Sequence, residues 1–266
     1  MTTILAPKKQ TKFILVGATG KLGRSISSHN AYVTYGICSK DNPLLGEIIE
    51  GIHEPLISSL SEVSLEIANI PLVVDASYPE NFDNVYDFCY KNKIPLVLAS
   101  TGHTQQQLRK LDKLAKKVAV LKAPNLSEGI AFFKTTILKP IIHLINSQTL
   151  SAISIPSKYE ISDVNIKIIE THHDKKKDAP SGTAIDLKNY IKESLGHIDS
   201  EIEIKSIRDK SSVGKHEVIF TLKNEEFSVS HNALNRDIFG QGISLAMDIL
   251  DKKPGVYFMT ELLEGR

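Results

Sequence analysis

The run Glu170-Thr171-His172-His173-Asp174-Lys175-Lys176-Lys177-Asp178-Ala179-Pro180-Ser181-Gly182-Thr183-Ala184 sets titratable donors beside a ready-made anion site. Val164 to Glu170 alternates polar and branched apolar residues as a strand does. Asp178 to Thr183 reads as a turn, with Pro180 predicted to open a helix that continues through Ile185, Leu187 and Tyr190. The first N–H groups of a helix have no partner within it, so those around Ser181, Gly182 and Thr183, with the hydroxyls of Ser181 and Thr183, suit a carboxylate or phosphate. Gly182 lets a ligand come close to the backbone. An imidazole titrates near neutrality, which makes His172 a candidate proton donor or acceptor, and a lysine beside an anion, such as Lys176, holds charge or gives up a proton. Taken singly, the lysines also describe a solvated loop and Ser-Gly-Thr a simple cap. Neighbouring residues on a strand point to opposite faces, so His172 and His173 are poorly placed to grip one ion, and no metal is expected.

These groups need elements to position them, and the first lies near the start. Phe13-Ile14-Leu15-Val16 is a short apolar strand that leads into Gly17-Ala18-Thr19-Gly20-Lys21-Leu22-Gly23 and a helix. The spacing is G-x-x-G-x-x-G, a variant of the dinucleotide fingerprint. It provides a tight turn, backbone close to a pyrophosphate and room for helix against strand, which marks Gly17, Thr19, Gly20, Lys21 and Leu22 as cofactor contacts. The plain alternative is a glycine turn in an unrelated α/β protein. A second apolar run, Tyr32 to Cys38, follows about 20 residues on, as that fold expects. It ends in Ser39-Lys40-Asp41, where an acidic residue would select NAD. Ser39 and Lys40 suit a 2′-phosphate, and the expectation is that NADPH is accepted at least as well as NADH.

Apolar strands then alternate with helical stretches: Leu72 to Asp75, Pro95 to Ala99 and Val118 to Lys122 are strand-like, Pro79 to Asn92 and Thr104 to Lys117 helix-like. This predicts a doubly wound parallel sheet with ligands at the carboxyl ends of its strands. Ala76 and Ser77, Ala99, Ser100 and Thr101, and Ala123, Pro124, Asn125 and Leu126 lie at those ends and are the expected contacts of the nicotinamide side. After Ser127 a long helical stretch runs to about Ile145. The strand at Val164, the histidine loop and a helix to about Ser194 follow, and then the strand-like runs Ile202–Arg208, His216–Leu222 and Phe227–Ser230. A mixed sheet is predicted there, with a face carrying Ile202, Ile204, Val218 and Phe220 covered by a partner subunit. A last helix, Gly240 to Leu250, and the tail Tyr257 to Leu263 are expected to return to the first domain.

Composition bounds the function. A chain of 266 residues with a formal charge of +1 suits one large or two modest domains, and its overall charge gives no reason to expect nucleic acid or a membrane surface as partner. The apolar runs are too short to span a bilayer, and Met1 to Gln10 lacks the apolar core of a secretory signal. Cys38 and Cys89 have neither metal nor redox spacing and are read as buried thiols, which fits a cytoplasmic protein.

Over nearly its whole length the chain resembles the dihydrodipicolinate reductase family of the lysine and diaminopimelate pathway. Glu170 to Ala184 is similar to that family's E-x-H-H-x-x-K-x-D-A-P-S-G-T-A, and the nucleotide loop and Val213-Gly214-Lys215-His216 fall in the expected order. The resemblance implies a nucleotide domain of residues 1–126 and 236–266, a substrate-binding and tetramerisation domain of residues 127–235, a hinge between them and a homotetramer. It implies reduction of a cyclic imine dicarboxylate by NADPH or NADH, with His172 as general acid/base and Lys176 as second proton donor. His173, Lys176, Ser181, Gly182 and Thr183 would hold the substrate. The sequence departs from the family where Lys40 replaces a frequent acidic residue and where Ala99-Ser100-Thr101-Gly102 and Pro124-Asn125-Leu126-Ser127-Glu128 replace G-T-T-G and A-N-F-S-[IV]. Two further classes are compatible with the motifs: another two-domain imine reductase or amino-acid dehydrogenase, and an NAD(P)-sensing protein without turnover.

Overall fold

Phe13–Val16 (β1) is buried at all of its positions, as a strand covered by helices on both faces must be. In the computed structural model, which describes residues 11–29, 32–64, 71–146, 164–196, 201–222 and 224–265, the chain divides into two compact units. One comprises Met1–Leu126 and Phe239–Leu262, the other Ser127–Ile238 and Leu263–Arg266. Met1 to Gln10, read above for a targeting signal, lies outside the described residues.

In the first unit β1 leads through helix α1 (Lys21–His29) to β2 (Val33–Ile37). Then come β3 (Val73–Asp75), α2 (Phe82–Asn92), β4 (Leu96–Leu98), α3 (Gln105–Ala115) and β5 (Ala119–Lys122). Thr104 starts α3 with a capping box, its hydroxyl accepting from Gln107 N–H while the Gln107 side chain reaches back. Strand β10 (Gly255–Phe258) pairs parallel with β5, so the tail does return to this sheet, in the order β10-β5-β4-β3-β1-β2 with all pairs parallel. Because β2 and β3 flank β1 on opposite sides, the winding reverses between β1 and β3, and the crevice beyond their carboxyl ends is where such sheets bind ligands. Ile14, Val16, Val73, Leu96 and Val120 pack on Phe82, Val85 and Cys89 of α2 and on Leu111 and Leu114 of α3. Both cysteines are free and buried, and burial pushes both thiols up. The helix expected over Gly240–Leu250 is instead broken into Asp237–Gln241, Ile243–Ala246 and a 3-10 turn at Met247–Asp251, the break falling at Gly242.

In the second unit a helical stretch, α4 (Glu128–Phe132), a π turn (Phe133–Leu138) and α5 (Lys139–Asn146), precedes β6 (Val164–His173) and α6 (Gly182–Leu195). Strands β7 (Glu203–Asp209), β8 (Gly214–Leu222) and β9 (Glu225–Ala233) complete a mixed sheet in the order β7-β6-β8-β9, with β6 and β7 parallel and the other pairs antiparallel. Contrary to the expectation above, the face carrying Ile202, Ile204, Val218 and Phe220 is not left for a partner. It forms the core of its own unit, with Ile166 and Ile168, against Leu187, Ile191 and Leu195 of α6 and Phe133, Leu138 and Ile142. Helix α6 is tied behind by a Lys134–Asp186 ion pair at 2.5 Å and by Tyr190 OH donating to Lys134 O. The opposite face carries Ile169, Ile207 and Ile219 among charged and hydroxyl side chains.

Candidate active site

Strand β6 runs on past Glu170 to His173, and its alternation turns Glu170 and His172 inward and His173 to the other face. Glu170 is fully buried and hydrogen-bonded to His172 Nδ1, so Nε2 is the imidazole nitrogen left for chemistry. The other Glu170 oxygen accepts from Arg208 Nη2 at 2.9 Å. Arg208 lies opposite His172 on β7, and it also donates to the backbone carbonyls of Lys176 (3.3 Å) and Asp178 (2.6 Å). One guanidinium thus fixes both the carboxylate that orients His172 and the loop that carries Lys176. Lys176 Nζ lies 2.8 Å from Asp178 Oδ2. His173 Nε2 receives Arg236 Nη2 at 2.8 Å.

Pro180 does not open α6: it stands one residue before the N-cap, which is Ser181, because the Ser181 hydroxyl accepts Ala184 N–H at 3.2 Å. Ser181 Oγ also lies 3.2 Å from Nε2 of His216, whose ring meets that of His172 edge to face at 5.1 Å. Proton-transfer candidate and helix N-terminus are therefore coupled through His216, a residue the sequence reading passed over as part of a family segment. Gly182 begins the helix, and a Cβ placed there would meet nothing within 4 Å, which is the open approach an anion needs. Thr183 follows it in the first turn.

Charge states follow from this packing. Burial holds the His172 imidazole below its ordinary value, outweighing the hydrogen bond and charge of Glu170 that lift it. Burial would raise Glu170, but Arg208, Ser206 and His172 together keep its carboxyl below the ordinary range. Asp178 is likewise held low, Lys176 overcoming the effect of burial. His216 is drawn down to about 3, by burial first and then by the charge of His172. An unfolded histidine titrates at about 6.5. Between those values the unfolded chain binds a proton that the folded chain does not, so stability grows with pH across the window and is lost as pH falls below about 6.5. The melting temperature is therefore expected to decline from pH 6.5 to pH 5, above the range of the carboxylates. His216→Phe should flatten that decline, and equal slopes for both proteins would contradict the assignment.

In the first unit, Gly17, Thr19, Gly20, Lys21, Leu22, Ser39, Lys40, Ala76 and Ser77 line one cleft beyond the ends of β1, β2 and β3. Gly17 has φ +82, and a Cβ there would lie 2.6 Å from Ala76 O; at Gly23 it would lie 2.2 Å from Gly17 O. Both are the close approaches a dinucleotide turn requires, so these residues fit a nicotinamide cofactor. Asn42 Nδ2 donates to Thr19 Oγ1 at 3.0 Å and holds the loop. Buried Asp75, which the sequence reading left as a strand end, accepts from the hydroxyls of Ser77 (2.5 Å) and Ser100 (2.8 Å) and so ties the loops after β3 and β4 together. Ala99, Ser100, Ala123 and Leu126 are buried, Asn125 is half-buried, and Thr101 and Pro124 are exposed.

A parallel sheet with a glycine-turn cleft and a mixed sheet with a histidine–helix site define a two-unit, nicotinamide-dependent oxidoreductase. Family profiles described as "Dihydrodipicolinate reductase, N-terminus" and "Dihydrodipicolinate reductase, C-terminus" match residues 11–126 and 149–263. The chain belongs to the dihydrodipicolinate reductase family. It is 33% identical to the 4-hydroxy-tetrahydrodipicolinate reductase of Clostridium novyi (strain NT) over 96% of this chain and 99% of that one. With the enzyme of the same name from Clostridium tetani (strain Massachusetts / E88) it shares 32% identity over 96% and 97%. The fold is shared with a dipicolinate-bound dihydrodipicolinate reductase from Paenisporosarcina sp. TG-14, at a TM-score of 0.67 and 22% identity over 93% of this chain and 97% of that one.

Proposed function

We propose that this protein reduces 4-hydroxy-tetrahydrodipicolinate, a cyclic imine dicarboxylate, to tetrahydrodipicolinate on the route to diaminopimelate and lysine, the 4-hydroxyl leaving as water and hydride entering at C4. The observation that carries this reading is the chain from Arg208 to buried Glu170 and His172 beside the Ser181-capped start of α6. It joins a proton donor to an anion seat. His172, held through Nδ1 by Glu170, presents Nε2 and delivers the proton that quenches charge building on the substrate ring. Lys176 serves as second proton donor and, with Ser181, Gly182 and Thr183, receives one carboxylate at the positive end of the helix. His173, joined to Arg236, receives the other. The nicotinamide, when bound along the Gly17–Leu22 turn, supplies the hydride.

NADPH is the favoured donor, because Ser39 and Lys40 line the cleft where an acidic residue would select NADH. The enzyme works in the cytoplasm as a homotetramer through the outer sheet face with Ile169, Ile207 and Ile219. Light scattering tests the assembly, which should have four times the 29.4 kDa chain mass; a monomer would refute it.

The function is tested by following absorbance at 340 nm with NADPH and with NADH, the substrate being made in place from pyruvate and aspartate semialdehyde by a coupling synthase. Oxidation that depends on the coupled substrate, with a higher kcat/KM for NADPH, is expected. A higher kcat/KM for NADH would overturn the preference, and no oxidation by folded, NADPH-binding protein would overturn the substrate.

A further inference from the structure

Gly214 opens β8 with no side chain, and its backbone does not require one to be missing: its φ lies outside the left-handed region that favours glycine. What sets the position apart is its neighbour. A Cβ built on Gly214 would lie 3.0 Å from Nε2 of His172 and 3.3 Å from Cδ2, and its three nearest atoms beyond the adjoining residues would all belong to this one imidazole. Nδ1 of the same ring is occupied by Glu170. His172 is otherwise enclosed, only 8% exposed, with His216 packed edge to face on it. Without a side chain, Gly214 therefore leaves uncrowded, on the β8 side, the single nitrogen able to exchange a proton.

We infer that Gly214 is a positioning residue for the reduction, the absence of its side chain keeping Nε2 of His172 open to the reacting substrate. A proton donor works when a heavy atom of the substrate can come within about 2.6–3.2 Å of it. A methyl group 3.0 Å from Nε2 would occupy part of that approach and could accept no hydrogen bond from the imidazolium. The inference rests on His172 as the proton donor proposed above.

Gly214→Ala is the test, read by steady-state kinetics, thermal melting and site-resolved mass spectrometry of histidine acylation by diethyl pyrocarbonate. A misplacement of about 1 Å at a reacting centre costs up to ~100-fold. The variant should lose about ten- to a hundredfold in kcat, with KM for NADPH unchanged and the melting temperature retained, and His172 should be acylated more slowly than in the wild type. A purely structural glycine would give a lower melting temperature and a loosened, faster-reacting His172. That pattern, or a wild-type kcat, overturns the inference. Should the variant not fold, the wild type still decides: His172 must react with the reagent, and substrate must protect it, whereas an inert His172 refutes open access. The underlying reading fails differently, through near-normal turnover of a variant at His172 itself, while Gly214→Ala with full activity leaves that reading intact.

Discussion

Replacing His172 with Gln lowers turnover by about 10²–10⁴, the range that general acid catalysis supplies, and leaves NADPH affinity where it was. Gln keeps a polar group within reach of Glu170 but has no proton to give at any accessible pH. The cofactor turn lies on other strands, Gly17–Leu22 after β1 and Ala76–Ser77 after β3, so its affinity has no reason to change. The pH profile makes the expectation sharper. Burial holds the free His172 imidazole below its ordinary value of ~6.5, so the protonated form dominates only on the acid side. Activity that needs this form is complete below the folded pKa and is lost as pH rises through it. The wild-type kcat/KM should thus carry a descending limb whose midpoint lies below ~6.5, and the Gln variant should lack it. Near-normal turnover in the variant, or a limb that survives the substitution, would remove His172 from proton transfer.

How much of this was legible in the sequence depends on the range of the interaction. The strands β1 to β5 of the parallel sheet were legible because each is a short, mostly apolar run between turn residues, whereas β10 was read only as a tail; the reversal between β1 and β3 sits beside the very glycines that the fingerprint marks. His172, Lys176 and Ser181 were legible because they lie close together in the chain. Arg208 was not: it meets Glu170 only through the parallel register of β6 with β7, which nothing in either strand's own residues specifies. Asp75 was missed for the same reason, its partner Ser100 being 25 residues away. Alternation correctly grouped Ile202, Ile204, Val218 and Phe220 on one face, but alternation does not say which face is covered. Helix α6, following the histidine loop, folds back over that face and claims it. Ser77 and Ser100 were read as cofactor contacts from their places at strand ends, yet their hydroxyls serve Asp75. These hydrogen bonds hold Ser77 in the lining of the cleft.

Gly17→Val should abolish measurable NADPH binding, an affinity loss of at least ~100-fold, and Gly46→Ala provides the comparison that assigns a cause. Both glycines have positive φ, +82 and +84, conformations costly for any side chain and worst for a β-branched one. At Gly46 a Cβ meets nothing within 4 Å, so alanine there carries backbone strain alone, about 1–2 kcal/mol. At Gly17 the Cβ would come within 2.6 Å of Ala76 O, 2.8 Å of Ala76 C and 2.9 Å of Ser77 Cα, all of them backbone. No side-chain rotation relieves such contacts, so either β1 or the loop after β3 must shift. That loop cannot shift freely, because the Ser77 N–H and hydroxyl are fastened to buried Asp75. The turn after β1 therefore gives way, and with it the backbone that would face the pyrophosphate. Fluorescence titration of NADPH reads the loss, and thermal melts of both variants separate it from global unfolding. A Gly17→Val protein that binds NADPH within about threefold of wild type would show that the cofactor does not use this turn, whereas Gly46→Ala is expected to melt slightly earlier and bind normally.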